Sequence, residues 1–262
     1  MTPRTIVVPL DGSHFAERAL RVAQALANRT DAELVVMVAA AGGPDDPQRY
    51  LDEVTHRSAL ERAERMVVTD LPAAEAICSV AGGTDDRVVC MTSHGRGGVR
   101  WAVLGSVAED VVALSPRTVV LVGPHCREDW DAPAADVLVA VDGSERSELV
   151  VVDARAWAEA LRADVRAAIV IHPLDVPDAE HPEELVGPIQ DRLRARGLDL
   201  EVAVLRASLP AGALADYATD VRASMIAMTA HARSGFARVA LGSVTMGTVN
   251  LAPCPVLVAH ED

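Results

Sequence analysis

Two tandem α/β domains, each a doubly wound, Rossmann-like unit with a five-stranded parallel sheet flanked by helices, are predicted for this 262-residue chain by three observations. A glycine-rich motif occurs twice, first as Met91 to Gly98 with Gly105-Ser106-Val107 beyond it, then as Met228 to Gly235 with Gly242-Ser243-Val244. The two copies keep register, since His94 and His231 are 137 residues apart and so are Ser106 and Ser243. Short β-branched runs alternate with helix-period segments through each half, the pattern of parallel α/β sheets. A repeat of about half the chain favours two domains, placed at residues 1–125 and 135–262.

In the first half, Thr5 to Val8 is a strand ended by the turn mixture Pro9-Leu10-Asp11-Gly12-Ser13. From Phe15, Ala19, Leu20, Val22, Ala23 and Leu26 recur at helical spacing with Arg18, Arg21, Gln24 and Asn28 opposite, which predicts an amphipathic helix. Leu34 to Val38 lacks polar alternation, as a strand covered on both faces does. Helix formers from about Arg49 to Arg65 predict a helix, followed by a weak strand at Met66-Val67-Val68. Pro72 suits the first position of a helix running to about Ala81. Arg87 to Met91 is a buried strand that leads into the repeated motif. Ser106 to about Leu114 reads as a helix, with Ser106 and Glu109 in capping-box spacing. Thr118 to Val122 closes the half.

Residues 123–135 hold Pro124, Glu128, Asp129, Asp131 and Pro133 and read as the interdomain linker, with Trp130 expected to pack on a domain surface. The second half repeats the order. It has a strand at Val137 to Val141, the turn Asp142-Gly143-Ser144, a helix to about Leu161 and a strand at Ala168 to Ile171. A loop with Pro173, Pro177 and Pro182, a helix from about Glu183 to Arg196 and a strand at Leu200 to Leu205 come next. A helix opened by Pro210, a strand at Ser224 to Met228, a helix from Ser243 and a strand at Val256 to Val258 finish the chain.

A formal charge of −14 repels a phosphate backbone at long range, so nucleic acid is not expected as a partner. It leaves room for a small nucleotide, because a few N–H groups and a helix terminus hold phosphates locally. Half of the residues are hydrophobic, enough for each half to bury a core. Cys78, Cys90, Cys126 and Cys254 form no Cys-X-X-Cys pair or metal-like spacing and read as buried reduced thiols. Neither a leader pattern nor an apolar run of membrane-spanning length is visible, so a cytoplasmic protein with no membrane partner is expected.

Ligands of open α/β sheets sit beyond the carboxyl ends of the strands, where Asp11 and the Thr92 to Ser106 segment should converge. Small residues let backbone approach a phosphate, and the helix from Ser106 offers free N–H groups and a favourable dipole. The Asp11 carboxylate would repel phosphate but can accept hydrogen bonds from ribose hydroxyls or an adenine amino group. A tight turn followed by a capping serine is the competing structural explanation. His94 and His231 have no nucleophile or carboxylate partner at readable spacing and are read as structural loop histidines, so no catalytic residue is assigned and an enzyme is not expected. Arg96 and Arg233 either face phosphate or are solvated.

The two Asp-Gly-Ser turns after Val8-Pro9-Leu10 and Val139-Ala140-Val141, the Thr-Ser-His-Gly-Arg-Gly-Gly and Gly-Ser-Val elements, and the closing Ala252 to Val258 together resemble the universal stress protein family in its tandem form. The resemblance covers nearly the whole chain. It implies a universal-stress-protein-like fold and an ATP-binding stress-response or regulatory protein that acts through conformation or an unknown protein partner. ATP-binding members carry Gly-X-X-Gly, nine residues, then Gly-Ser or Gly-Thr. Placed here, these positions are Thr92, Gly95 and Gly105-Ser106 in the first half, and Thr229, Ala232 and Gly242-Ser243 in the second. Alanine at 232 costs little at negative φ and about 1 kcal/mol in a left-handed conformation. A valine that helps hold adenine in the family corresponds to Val38, with Pro173 in the second half.

The implied adenine-nucleotide residues are therefore Pro9, Asp11, Val38, Thr92, Gly95, Arg96, Gly105, Ser106 and Val107, with Asp142, Gly242, Ser243 and Val244 in a weaker second site. ATP would bring magnesium as its counter-ion. A nucleotide-free interaction module with a degenerate pocket is the alternative. The resemblance further implies that the last strands, near Val119 to Val122 and Val256 to Val258, pair to form an internal pseudo-dimer, and it leaves a homodimer open.

Overall fold

The computed structural model describes residues 3–84, 86–95, 104–115, 117–133, 135–174, 182–200, 202–230 and 241–259. The first half runs β1 (Thr5–Leu10), α1 (His14–Thr30), β2 (Glu33–Ala39), α2 (Pro47–Arg57), β3 (Glu64–Val68), α3 (Ala73–Ala81), β4 (Arg87–Thr92), α4 (Ser106–Leu114) and β5 (Val119–Val122). The second runs β6 (Val137–Val141), α5 (Val151–Leu161), β7 (Val165–Ile171), α6 (Pro182–Ala195), β8 (Val202–Arg206), α7 (Pro210–Asp220), β9 (Met225–Thr229), α8 (Ser243–Leu251) and β10 (Val256–Ala259). All pairing within each half is parallel among the described residues, as predicted.

The two sheets join. β5 and β10 pair antiparallel, Val256 opposite Leu121 and Val258 opposite Val119, giving one ten-stranded sheet in the order β3-β2-β1-β4-β5-β10-β9-β6-β7-β8. Joining the two edges pairs backbone groups that separate halves would expose. Val35, Val36, Met37 and Val38 are at most 2% exposed, so β2 is covered on both faces as its unbroken apolar run requires.

Helix α1 follows from its sequence. The Ser13 side chain caps its first turn by accepting from the Ala16 N–H, its apolar stripe of Ala19, Leu20, Val22, Ala23 and Leu26 is buried, and Asp31 in a left-handed conformation ends it. Elsewhere tertiary context moves the boundaries. The helix predicted to reach Arg65 stops at Arg57, because Ala59 turns to φ 55° and Glu64 enters β3. Pro72 is the residue before the first turn of α3 rather than within it. The expected capping box at Ser106 is absent: Gly105 is the N-cap without a side-chain bond, and Ser106 is the first helical residue.

In the second half the chain after Ser144 makes successive turns before α5 starts at Val151, later than predicted. Ser147 Oγ donates to the Ser144 carbonyl at 2.8 Å and accepts from the Asp142 N–H at 3.2 Å. Glu148 is drawn towards α6 by Arg192 at 2.8 Å. These bonds hold the segment in i to i+3 turns, Glu148 N–H to Glu145 and Val151 N–H to Glu148 among them.

The linker is packed rather than free. The Arg18 guanidinium donates to the carbonyls of Pro124 at 3.0 Å and Cys126 at 2.6 Å, and Arg21 donates to that of Glu128. Trp130, expected on a domain surface, is 2% exposed and donates from Nε1 to the Ser224 carbonyl at 3.0 Å. The Arg127 N–H reaches the Pro253 carbonyl at 3.0 Å and His125 Nδ1 donates to that of Asn250 at 2.6 Å, so the linker bonds to both halves. At Gly123 the α8 backbone comes so close that a Cβ would lie 1.7 Å from the Val249 carbonyl oxygen. No described helix is long and apolar enough to cross a membrane.

Candidate functional site

At the carboxyl ends of β1 and β4 the chain leaves the sheet through two turns that face each other. After β1, Gly12 at φ 86° turns the backbone, and the Asp11 Oδ1 accepts from the Ser13 N–H at 2.9 Å and hydroxyl at 2.7 Å. After β4, Thr92 and Ser93 are buried, the Thr92 hydroxyl donates to the His94 carbonyl at 2.7 Å, and the Gly105 N–H closes the loop base on the Ser93 carbonyl at 2.8 Å. The two turns touch at Gly95, where a Cβ would lie 2.3 Å from Asp11 Oδ2. At Gly105 a Cβ would lie 3.2 Å from the Ser93 carbonyl oxygen. Both glycines are therefore close-approach positions.

Between the turns lies a cavity of about 420 Å³, within the usual range of small-molecule sites, about 300–1,000 Å³. Pro9, Asp11, Thr92, Gly95, Gly105, Ser106 and Val107 all line it. Val38 does not: it is fully buried in the sheet, and the walls on that side are Ala39, Ala41 and Gly42. Arg96, together with His231, Ala232 and Arg233 of the second copy, lies outside the described residues. Ile77, Met91 and Leu104 add apolar wall, and only the ends of α3, β4 and the loop in space reveal them.

His94, read as structural from the sequence, also lines the cavity. Its Nδ1 is 2.9 Å from Ser93 Oγ and its ring meets Phe15 edge to face with centroids 6.2 Å apart. Nε2 is buried without a hydrogen-bond partner among the described residues, an exception that calls for an explanation in a folded protein. Nearby, burial and then the Glu17 and Asp11 carboxylates push the Tyr50 phenol well above its ordinary range. Tyr50 stays protonated and donates to Glu17 Oε1 at 3.2 Å.

The second half builds a similar cavity of about 360 Å³, lined by Asp142, Gly242, Ser243 and Val244 together with Ser147, Thr229 and Met228. Asp142 Oδ1 accepts from the Ser144 N–H at 2.9 Å and hydroxyl at 2.6 Å, and Gly143 at φ 85° repeats the turn of Gly12. Pro173 is not among the walls, and Val170 stands on that side.

The same turns, cavity and helix start thus occur in each half, and the Universal stress protein family matches residues 2–123 and again 135–260. The chain belongs to the universal stress protein family. In sequence it is 36% identical over 138 residues to a Thermus aquaticus member, universal stress protein in QAH/OAS sulfhydrylase 3'region, covering 45% of this chain and 98% of that one. It is 30% identical over 186 residues to universal stress protein Rv2005c of Mycobacterium tuberculosis, covering 66% of this chain and 62% of that relative's length. A universal stress protein from Archaeoglobus fulgidus shares the fold at a TM-score of 0.68 and 18% identity, with 100% of both chains covered. A functionally unknown protein from Pseudomonas aeruginosa matches at a TM-score of 0.71 and 14% identity, covering 99% of this chain and 93% of its own.

The lining of the first cavity offers the groups that an adenine nucleotide would need. Apolar walls suit a base, Asp11 can accept from ribose hydroxyls, and the start of α4 presents N–H groups at Ser106 and Val107 for an anion. The glycines at 95 and 105 let the loop backbone pack closely on Asp11 and on the Ser93 carbonyl at the mouth of this cavity.

Proposed function

We propose that the first half of this universal stress protein binds ATP and that occupancy biases conformation or partner choice without rapid turnover. The observation that carries the reading is the meeting of Asp11, Gly95 and the Gly105-Ser106 helix start around one cavity. Asp11 orients the sugar, the N–H groups at the start of α4 hold phosphate with its magnesium counter-ion, and Ser106 adds a hydroxyl donor. His94 shapes the cavity wall beside the loop base, its ring against Phe15 and its Nδ1 on Ser93 Oγ.

Threonine in place of the family's first glycine is compatible with this reading. The Thr92 side chain is 4% exposed and its hydroxyl is used by the His94 carbonyl, so it braces the loop base. The second half is proposed to bind weakly or to serve structure, since two of its three glycine positions carry side chains, Thr229 and Ala232. The rival reading, a nucleotide-free interaction module, draws on the same substitutions.

Calorimetry with ATP separates them. The wild-type chain should bind with Asp11→Ala and Gly105→Ala each at least tenfold weaker, and ATP should be released from purified protein in mass spectrometry. Wild-type affinity in both variants, or an empty protein with no binding heat, rejects the ATP reading.

A further inference from the structure

Behind each aspartate turn stands a carboxylate in the same repeat position. Glu17 and Glu148 each lie six residues after the aspartate of their turn, Asp11 and Asp142. Each is held by an arginine of the helix that follows the second strand of its half. Arg57, at the end of α2, donates to Glu17 Oε2 at 2.8 Å, with the Tyr50 hydroxyl on Oε1. Arg192 of α6 donates to Glu148 Oε1 at 2.8 Å and, from its other nitrogen, to the Gly143 carbonyl at 2.9 Å, while Arg196 lies 3.5 Å from Oε2. One guanidinium thus ties the aspartate turn to α6. In the first half the tie runs through the helix start, where the Glu17 N–H donates to the Ser13 carbonyl and the Ser13 hydroxyl donates to Asp11.

The two pairs differ in burial. The Glu148 side chain is 0% exposed and that of Arg192 33%, against 18% for Glu17 and 56% for Arg57. Mobile ions reach an exposed pair and screen it, whereas a buried pair is screened much less.

We propose that these two carboxylate–arginine clamps position Asp11 and Asp142, and that their unequal burial makes the first ligand site responsive to ionic strength and the second indifferent to it. The ligand part rests on the nucleotide reading above; the ordering of the turns does not. Arg57 and Arg192 are positioning residues that never touch the ligand. Their effect on binding passes through the turn that carries each aspartate.

Hydrogen exchange on the full chain without ligand tests the ordering. Raising potassium chloride from about 0.1 to about 1 M shortens the screening length from about 10 to about 3 Å. Exchange across 11–17 should then speed up several-fold and exchange across 142–148 should not change. Arg57→Met should abolish the salt response at 11–17, and Arg192→Met should raise exchange at 142–148 several-fold, with partial recovery in Arg192→Lys. Should a lone buried Glu148 prevent folding, the double variant Glu148→Gln with Arg192→Met removes that charge and should show the same local rise with β6 unaffected. Equal salt responses in the two turns, or a response that survives Arg57→Met, overturn the proposal.

Adenosine, which has no phosphate to be screened, reports on the ligand part. Its affinity should fall about three- to tenfold over the same salt range in wild type and stay level in Arg57→Met. Salt-independent adenosine binding keeps the nucleotide reading and rejects its coupling to the clamp. Binding of neither adenosine nor ATP, with the exchange pattern as expected, keeps the clamp and rejects the nucleotide reading.

Discussion

At Gly95 a single methyl decides whether Asp11 keeps its place. A Cβ would stand 2.3 Å from Oδ2, and Asp11 can yield only by giving up the bonds that Ser13 makes to Oδ1. Gly95→Ala should therefore weaken ATP binding at least tenfold in calorimetry while moving the thermal midpoint little. The burial of the thiols gives a second prediction at this scale. Burial pushes Cys126 up to about 11 against the smaller pull of Arg18 and Arg127, and burial pushes Cys90 and Cys254 further. A thiol raised in the folded chain keeps its proton where the unfolded chain has lost it. Stability is then full below the ordinary thiol value near 8.5 and falls as pH rises towards 11. Denaturant midpoints from pH 7 to 10 should decline accordingly, and Cys126→Ala should flatten part of the slope. Asp11 is legible in the sequence because turn chemistry is local, and Gly95 and Gly105 through the family pattern laid on the chain. Ala39 and Ala41 were not, since which end of β2 faces a cavity depends on β1 beside it, and Val38 was expected in their place.

At the scale of the element, the start of α4 separates a structural serine from a binding one. Gly105 is the N-cap and no side chain caps the helix, so Ser106→Ala removes no helix bond. It should shift the unfolding free energy by less than about 0.5 kcal/mol and weaken ATP several-fold. Ser13→Ala is the opposite case. It removes the cap of α1 and should cost about 1 kcal/mol in denaturant titration, with a loss of ATP affinity as Asp11 loses the hydroxyl. Helix α1 could be read from sequence to within a few residues because period, cap and burial agree. The start of α5 could not, although its turn repeats Asp-Gly-Ser, because Ser147 stands where the first half has Ala16 and its hydroxyl bonds the turn instead of continuing the helix. Composition alone also hid the end of α2, where the edge strand β3 opens with the charged residues Glu64 and Arg65.

At the scale of the molecule, the repeat disclosed two halves, and the resemblance implied the pairing of their last strands. The fate of the linker was hidden: its composition reads as a connecting segment, yet its carbonyls are held by Arg18 and Arg21 more than a hundred residues earlier in the chain. Gly123 marks how tightly the halves meet. Gly123→Ala would set a methyl 1.7 Å from a backbone oxygen of α8, an overpacking expected to cost about 1–3 kcal/mol or more. Chemical denaturation should show a lowered midpoint, and a wild-type midpoint would mean that α8 can retreat freely from the seam. Because strands β5 and β10 run in opposite directions, the carboxyl ends of the two sets of strands point to opposite rims of the common sheet. The cavities are thus mounted back to back. No small molecule can bridge them, a single partner that senses both must reach around the sheet, and any message passed from one to the other has to cross the β5–β10 seam, the packing of α1 on α5, or the strap of chain that joins the halves.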